Sequence, residues 1–221
     1  MASHNRGGEI TYLHLGGLTY KFTITTCTDL GSLTNTDREE LAIDFDLGTT
    51  FAQRDTFLRA TQVSMLLNHQ KNTYVGTHTF TSAGTHRVTV EDPNRNAGIL
   101  NVYPGGNSDD VVFAIETILI ISPTQGATGG NNSVQFSECP CPEIACVNKP
   151  YCYNPMAVDP DGDSSKLSFA WNVSDMDEAI YDISSISRTF TIPGIYSISL
   201  MVTDERGLES AVKSYYFRIK N

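Results

Sequence analysis

Long apolar runs, basic clusters and catalytic signatures are missing from this chain, and each absence removes a class of function. No stretch reaches the ~18–20 consecutive apolar residues that a membrane-spanning helix needs. The longest run, Val111 to Ile121, is broken by Glu116 and Thr117 and reads as a core strand. Lys and Arg total 15 against 25 Asp and Glu, a net charge of −10. With no basic run present, nucleic acid is a poor partner, because phosphate contacts need clustered Lys and Arg. His4, His14, His69, His78 and His86 are scattered and form no His-x-x-x-His pair. Neither a Gly-x-Ser-x-Gly elbow nor a phosphate-cradling glycine loop occurs. Asp44 and Asp46 lie two apart on one predicted strand, so they share a face and lack the opposed geometry of a glycosidase pair. Catalysis is not expected. The chain also starts without a signal peptide: Met1 to Gly8 is polar throughout and reads as a mature domain with an initiator Met added.

Cysteine is scarce but clustered. Of five, Cys139, Cys141, Cys146 and Cys152 fall in one short loop-rich stretch, and Cys27 stands alone. Four clustered cysteines allow three disulfide pairings, which spacing alone does not separate. Free thiols and a metal site stay open as alternatives, although C-x-C followed by C-x₅-C departs from the paired C-x₂₋₄-C spacing of zinc sites. Disulfides would place the chain in an oxidising compartment. Cys27 is expected to pack as a small apolar side chain.

What the chain does contain is a repeat. Thr79-Phe80-Thr81 leads through Gly84 into His86, Val88 and Val90, ending at Glu91-Asp92; Thr189-Phe190-Thr191 leads through Pro193-Gly194 into Tyr196, Ile198 and Leu200, ending at Thr203-Asp204. The two copies start 110 positions apart (189 − 79). Each reads as a strand, a tight turn and a second strand, predicted to pair as a hairpin, with glycine supplying φ > 0 at the turn. His86 takes the place of Tyr196 and is expected to fill the same packing position. Two copies in 221 residues imply two related domains of ordinary size. Alternating β-formers between turns every 8–12 residues or so predict an all-β chain of sandwich type. Residues 53–70 are ambiguous between helix and strand, and the flanking strands favour strand. Residues 99–103 and 111–121 are expected to close the first domain. Pro123 to Asn132 is rich in glycine and polar residues and reads as a linker. The predicted domains are 1–123 and 124–221. Trp171 is expected in the second core, and His78 is expected to hydrogen-bond a strand beside it.

Several of these stretches resemble the PKD-type immunoglobulin-like fold. Asp44-Phe45-Asp46-Leu47-Gly48 and His78-Thr79-Phe80 do so in the first half, and Asp159-Pro160-Asp161-Gly162-Asp163 and Pro193-Gly194-Ile195-Tyr196 in the second. Departures are Ile43 where the pattern has Trp, Asp46-Leu47 in place of Gly-Asp, and Asn172-Val173-Ser174-Asp175 in place of Asp-Phe-Gly-Asp. Ser3 to Tyr12, Asn72 to Phe80, Glu91 to Asn96 and Ala145 to Pro150 resemble the N-terminal part of large secreted Bacteroidetes proteins described as gliding-motility-associated or type IX-secreted. That resemblance implies two tandem immunoglobulin-like sandwiches at the cell surface, structural or adhesive in role, and it implies no reaction.

The sharpest chemical motif is Asp159-x-Asp161-x-Asp163. Three carboxylates at alternate positions around a glycine can converge on a hard cation, and Ca²⁺ takes 6–8 or so oxygen ligands. In the PKD-like topology Asp204 reaches the same end of the sandwich as a fourth carboxylate. The competing reading is a solvated turn, since Asp-Pro-Asp-Gly is good turn chemistry without any metal. Tyr151, Tyr153, Tyr181, Tyr215 and Tyr216 form a pool from which a carbohydrate-stacking surface would be drawn, with a place in the core or at an edge as the alternative. The strands Ile10 to His14 and Ala211 to Ile219 are candidate edges for pairing with a neighbouring domain or a second copy. The expected function is a non-catalytic extracellular module, structural or adhesive, stiffened by Ca²⁺ and meeting a protein or glycan partner. The alternatives are a carbohydrate-binding module and an accessory domain of a secreted enzyme.

Overall fold

The computed structural model describes residues 5–29, 38–65, 69–93, 95–102, 107–123, 130–137, 144–162, 164–173, 180–205 and 213–221. The chain is all-β. Its strands are β1 (Asn5–Gly16), β2 (Thr19–Asp29), β3 (Glu40–Phe45), β4 (Gln53–Met65), β5 (His69–Thr79), β6 (Gly84–Asp92) and β7 (Phe113–Ile121) in the first half. In the second half they are β8 (Gln135–Phe136), β9 (Ile144–Cys146), β10 (Pro150–Tyr153), β11 (Ala157–Val158), β12 (Ser168–Val173), β13 (Ile180–Tyr181), β14 (Ile186–Thr189), β15 (Gly194–Thr203) and β16 (Lys213–Lys220).

Period-two alternation builds the first core. Tyr20, Phe22 and Ile24 of β2 are buried while Thr19, Lys21 and Thr23 are half-buried, as expected of a sheet with one packed face. β1, β2 and β5 form one layer; β3, β6 and β7 form the other. β4 belongs to both: residues 53–58 pair with β3, and residues 59–65 cross over to pair with β5 after a register shift between Arg59 and Thr61. The strand reading of the ambiguous stretch therefore holds. Phe22, Phe45 and Phe80 pack edge to face between the layers, with ring centres 5.4–6.3 Å apart. The second core holds Trp171, Tyr153, Ile186, Leu200 and Phe217. Trp171 is fully buried, lies edge-on to Tyr153 and donates its Nε1–H to the Ile183 carbonyl at 2.7 Å.

The repeated motif is present in both halves, but it is not a hairpin. β5 pairs with β2 and β4 whereas β6 pairs with β3 and β7. Likewise β14 pairs with β10, and β15 pairs with β12 and β16. Each copy is an arch that carries the chain from one layer to the other. Its Phe explains why: Phe80 and Phe190 are buried under the arch, and a flat hairpin would leave one face of each wet. Each Phe packs on the aromatic residue six positions later, Phe80 on His86 at 4.2 Å and Phe190 on Tyr196 at 4.5 Å. His86 Nε2 lies 3.0 Å from the Ser82 carbonyl, and Tyr196 OH donates to the Ile192 carbonyl at 2.9 Å. Both bonds run four residues back, the corner-locking arrangement that a tyrosine supplies in immunoglobulin-like sandwiches. His86 does occupy the place of Tyr196. Gly84 has φ of 140°, but Gly194 has no positive φ. A Cβ at Gly194 would stand 2.4 Å from Cδ1 of Leu100, an exposed side chain that would have to turn aside.

One expectation about connections is corrected. The 99–103 stretch adds no strand among the described residues. Instead Ile99 bridges Ile195, Leu100 N donates to the Ile195 carbonyl at 2.8 Å, and the Asn101 side chain holds both the carbonyl and the N–H of Ser197 at 2.8 and 2.7 Å. The strands that hold the two candidate edges, β1 and β16, pair with each other, Gly7 opposite Tyr215 and Gly8 opposite Ser214. At Gly8 a Cβ would stand 3.0 Å from both Ile115 Cδ1 of β7 and the Thr25 carbonyl of β2. One sheet thus runs from β13 through β12, β15, β16, β1 and β2 into the first half. β16 serves both cores, with Tyr216 packed in the first and Phe217 in the second.

Cysteine expectations also change. Cys27 is fully buried, as predicted, but it is disulfide-bonded. It sits on β2 opposite Gly7. Cys146 and Cys152 are free and exposed. Cys139 and Cys141 lie outside the described residues, as does the partner of Cys27.

Candidate functional site

The Asp159 loop leaves β11 and turns on its own side chains. Asp161 N donates to Asp159 Oδ1 at 2.8 Å, and Asp159 N donates to Ser164 Oγ at 3.0 Å. This is the aspartate turn that such a sequence favours. Gly162 is required because the Asp159 carboxylate lies over it, Oδ2 being 2.4 Å from where a Cβ would stand. Asp161 is directed elsewhere: its two oxygens accept from the backbone N–H and the side-chain amide of Asn132. Asn132 Oδ1 in turn accepts from His14 N of β1 at 2.7 Å.

The last residues of the expected linker are therefore packed. Asn131, Ser133 and Val134 are buried. Ser133 N donates to the Tyr12 carbonyl at 3.0 Å, and Tyr12 N donates to Ser133 Oγ at 2.8 Å. Residues 131–133 extend the edge of β1 and fasten the Asp159 loop to it. Sequence reasoning missed these three. The available signal was an Asn-Asn-Ser run abutting a strand, since short polar side chains compete for neighbouring backbone groups.

Tyr12 marks where the acidic loops meet. Its phenol is held well above its usual pKa by burial first, with Tyr20, Asp204 and Asp161 adding negative potential. Asp204 is buried at the end of β15, and both it and Asp161 lie near enough to Tyr12 to raise its pKa. Asn131 Nδ2 lies 3.4 Å from the Tyr12 oxygen, while Asn131 Oδ1 is buried with no hydrogen-bond partner among the described residues. Asp163 lies outside the described residues. No group of three or more His, Cys, Asp or Glu arranged to hold a metal occurs among the described residues. Every candidate ligand is an oxygen, which suits a hard cation such as Ca²⁺ rather than a thiolate-seeking metal.

The other singled-out residues carry structural duties. His78 Nδ1 lies 2.8 Å from Asp55 Oδ2, and its ring stacks on Phe45 at 3.7 Å. Asp44 takes a two-point contact from Arg54 at 2.6 and 2.7 Å. Asp46 lies beyond β3 with φ of 53°; it accepts from Arg87 N at 2.9 Å and meets His86 Nδ1 at 2.7 Å. The two carboxylates do not act as a pair. Of the tyrosine pool, Tyr151, Tyr153 and Tyr216 are buried and Tyr181 is exposed; the Tyr215 side chain lies outside the described residues.

Compared with known families, residues 154–219 match the PKD domain. That segment carries the second arch, Trp171, Asp159 and Asp204. No curated protein matches the chain. No helix among the described residues is long and apolar enough to cross a membrane.

Proposed function

We propose that the chain is a non-catalytic extracellular module, structural or adhesive, built as two tandem immunoglobulin-like units, residues 1–123 and 124–221. Its setting would be a Bacteroidetes surface or gliding-associated protein exported by type IX secretion. The observation that carries the reading is the PKD match over residues 154–219, a module type that is generally non-catalytic and typically extracellular. It is supported by Cys27, whose disulfide suits an oxidising compartment. The partner would be a protein or glycan surface. Antibody labelling of intact producing cells tests the setting: surface label is expected, and label found only after lysis would overturn it.

Within this reading, Ca²⁺ held by Asp159, Asp161, Asp163 and Asp204 would stiffen the junction of the units. Support comes from the all-oxygen donor set and from the negative potential that Asp161 and Asp204 share at Tyr12. Saturation at about 100 times Kd adds ~2.7 kcal/mol, or roughly 5–11 °C at about 2–4 °C per kcal/mol. Melting in Ca²⁺ against EDTA should show that difference, and Asp204→Asn should erase it. Equal melting temperatures, with no heat of Ca²⁺ binding, would sink the calcium clamp and leave the module reading standing.

A further inference from the structure

A cleft of about 540 Å³ opens in the second half, beside the β8–β11 pair and the edge formed by β12 and β13. That volume falls within the roughly 300–1,000 Å³ of small-molecule sites. Leu167, just before β12, Phe169 of β12 and Met156 supply its apolar lining; Asn154, Asp182, Ser184 and further serine hydroxyls supply the polar lining.

Two bordering residues hold left-handed backbone, Met156 with φ of 51° and Asp182 with φ of 58°. Aspartate tolerates that conformation, but a side chain as bulky as methionine adopts it rarely. Both positions are fixed by hydrogen bonds. Met156 N donates to Asn154 Oδ1 at 2.9 Å, its carbonyl accepts from Ser137 N at 3.4 Å, and Asp182 N donates to the Phe169 carbonyl at 2.8 Å. The cleft is therefore formed before any ligand arrives, and Met156, 54% exposed, is held at its border rather than packed.

The lining selects a chemistry. None of the described residues that line it is basic, so a phosphate or carboxylate finds no ion-pair partner among them and is repelled by Asp182. A wholly apolar ligand would leave the carboxylate, the amide and the hydroxyls without the water they lose, at an unfavourable desolvation cost. Hydroxyl groups can both donate to Asp182 and accept from serine and Asn154, while the C–H face of a sugar ring suits Met156, Leu167 and Phe169. We propose that this cleft binds a neutral saccharide, one or two rings long, oriented by Asp182 and Asn154. The proposal goes beyond the module reading and depends on neither the calcium clamp nor the surface setting.

The test uses the whole chain and a panel of neutral hexose and N-acetylhexosamine disaccharides, followed by calorimetry and by amide chemical shifts. Uronic-acid disaccharides and an uncharged peptide serve as comparisons. Expected is saturable binding of at least one neutral disaccharide, with shifts centred on Asp182, Ser184 and Met156. Asp182→Asn should weaken that binding at least tenfold, and Ser184→Tyr, which fills the cleft, should abolish it. Thr77→Asp on the exposed face of β5 should leave it unchanged. Shift mapping on the unaltered chain keeps the test decisive if a cleft variant fails to fold. No shift with any neutral disaccharide, shifts centred elsewhere, or stronger binding of the uronic acids or the peptide would overturn the proposal.

Discussion

Truncating the two neighbouring aromatics of β16 one at a time tests whether the halves unfold as one body. Tyr216 is fully buried in the first core and Phe217 in the second, though they are adjacent in sequence. Replacing a buried aromatic ring by alanine costs about 3–5 kcal/mol. Tyr216→Ala also removes a hydrogen bond from Arg95 Nη1 and the ring 5.8 Å from the Arg95 guanidinium, so its cost belongs at the upper end. The halves are further joined by β1 against β16, by Asn101 on Ser197 and by His14 N on Asn132 Oδ1. If these contacts make one cooperative body, scanning calorimetry shows a single transition, and both variants lower it. At about 2–4 °C per kcal/mol for a chain of this size, a loss of ~4 kcal/mol moves the midpoint down by roughly 8–16 °C in each. If the halves were independent, each variant would shift one of two transitions and leave the other in place. That second outcome would refute the argument that a shared strand couples the cores.

Tyrosine ionisation should unfold the chain at high pH. Tyr216 is pushed up to about 12 by burial, against an opposing pull from Arg95, and Tyr12 is raised as well. A phenol whose folded pKa is raised contributes stability that is intact below its unfolded value of about 10 and is lost as pH climbs towards the folded value. Stability should therefore fall from about pH 10 to 12, by up to ~1.4 kcal/mol per pH unit for each such tyrosine. Absorbance at the phenolate band should rise late for these groups and together with loss of the near-ultraviolet circular dichroism; normal titration of every tyrosine with the fold intact would contradict it. His86→Tyr should be tolerated, within about 1.5 kcal/mol on melting, because Tyr196 does the same work in the other half. His86→Leu should cost more, since it fills the space but loses both the Ser82 and Asp46 contacts.

Local pattern made most of the strands legible. Alternation in Tyr20-Lys21-Phe22-Thr23-Ile24 and in Tyr196-Ser197-Ile198-Ser199-Leu200 states which face is buried, and burial is what makes those stretches strands. The equivalence of His86 and Tyr196 was also readable, because a repeat compares two positions that face the same corner. Pairing was not readable. Thr-Phe-Thr, a glycine and a further alternating run fit a hairpin and an arch equally well in local geometry. The difference lies in what the Phe touches, and Phe80 meets Phe45 of β3 and Phe22 of β2, which sequence distance hides.

The candidate site divides along the same line. Asp159, Asp161 and Gly162 announce a turn because the groups that close it lie within five residues, from Asp159 to Ser164. Asp204 was expected at the same end from the PKD-like topology, and it shares with Asp161 an influence on Tyr12. The partners that fix Asp161 were hidden, because a Gly-Gly-Asn-Asn stretch has the composition of a free linker. What turns its end into structure is the exposed edge of β1, whose Tyr12 and His14 backbone groups need partners once Gly7 and Gly8 have turned the start of the strand towards β16. Asn132 satisfies one such group and, with its remaining donors, captures Asp161. A carboxylate that reads locally as a cation ligand thereby also holds in place the Asn132 that joins the halves. Replacing it would loosen their junction whether or not a cation binds there.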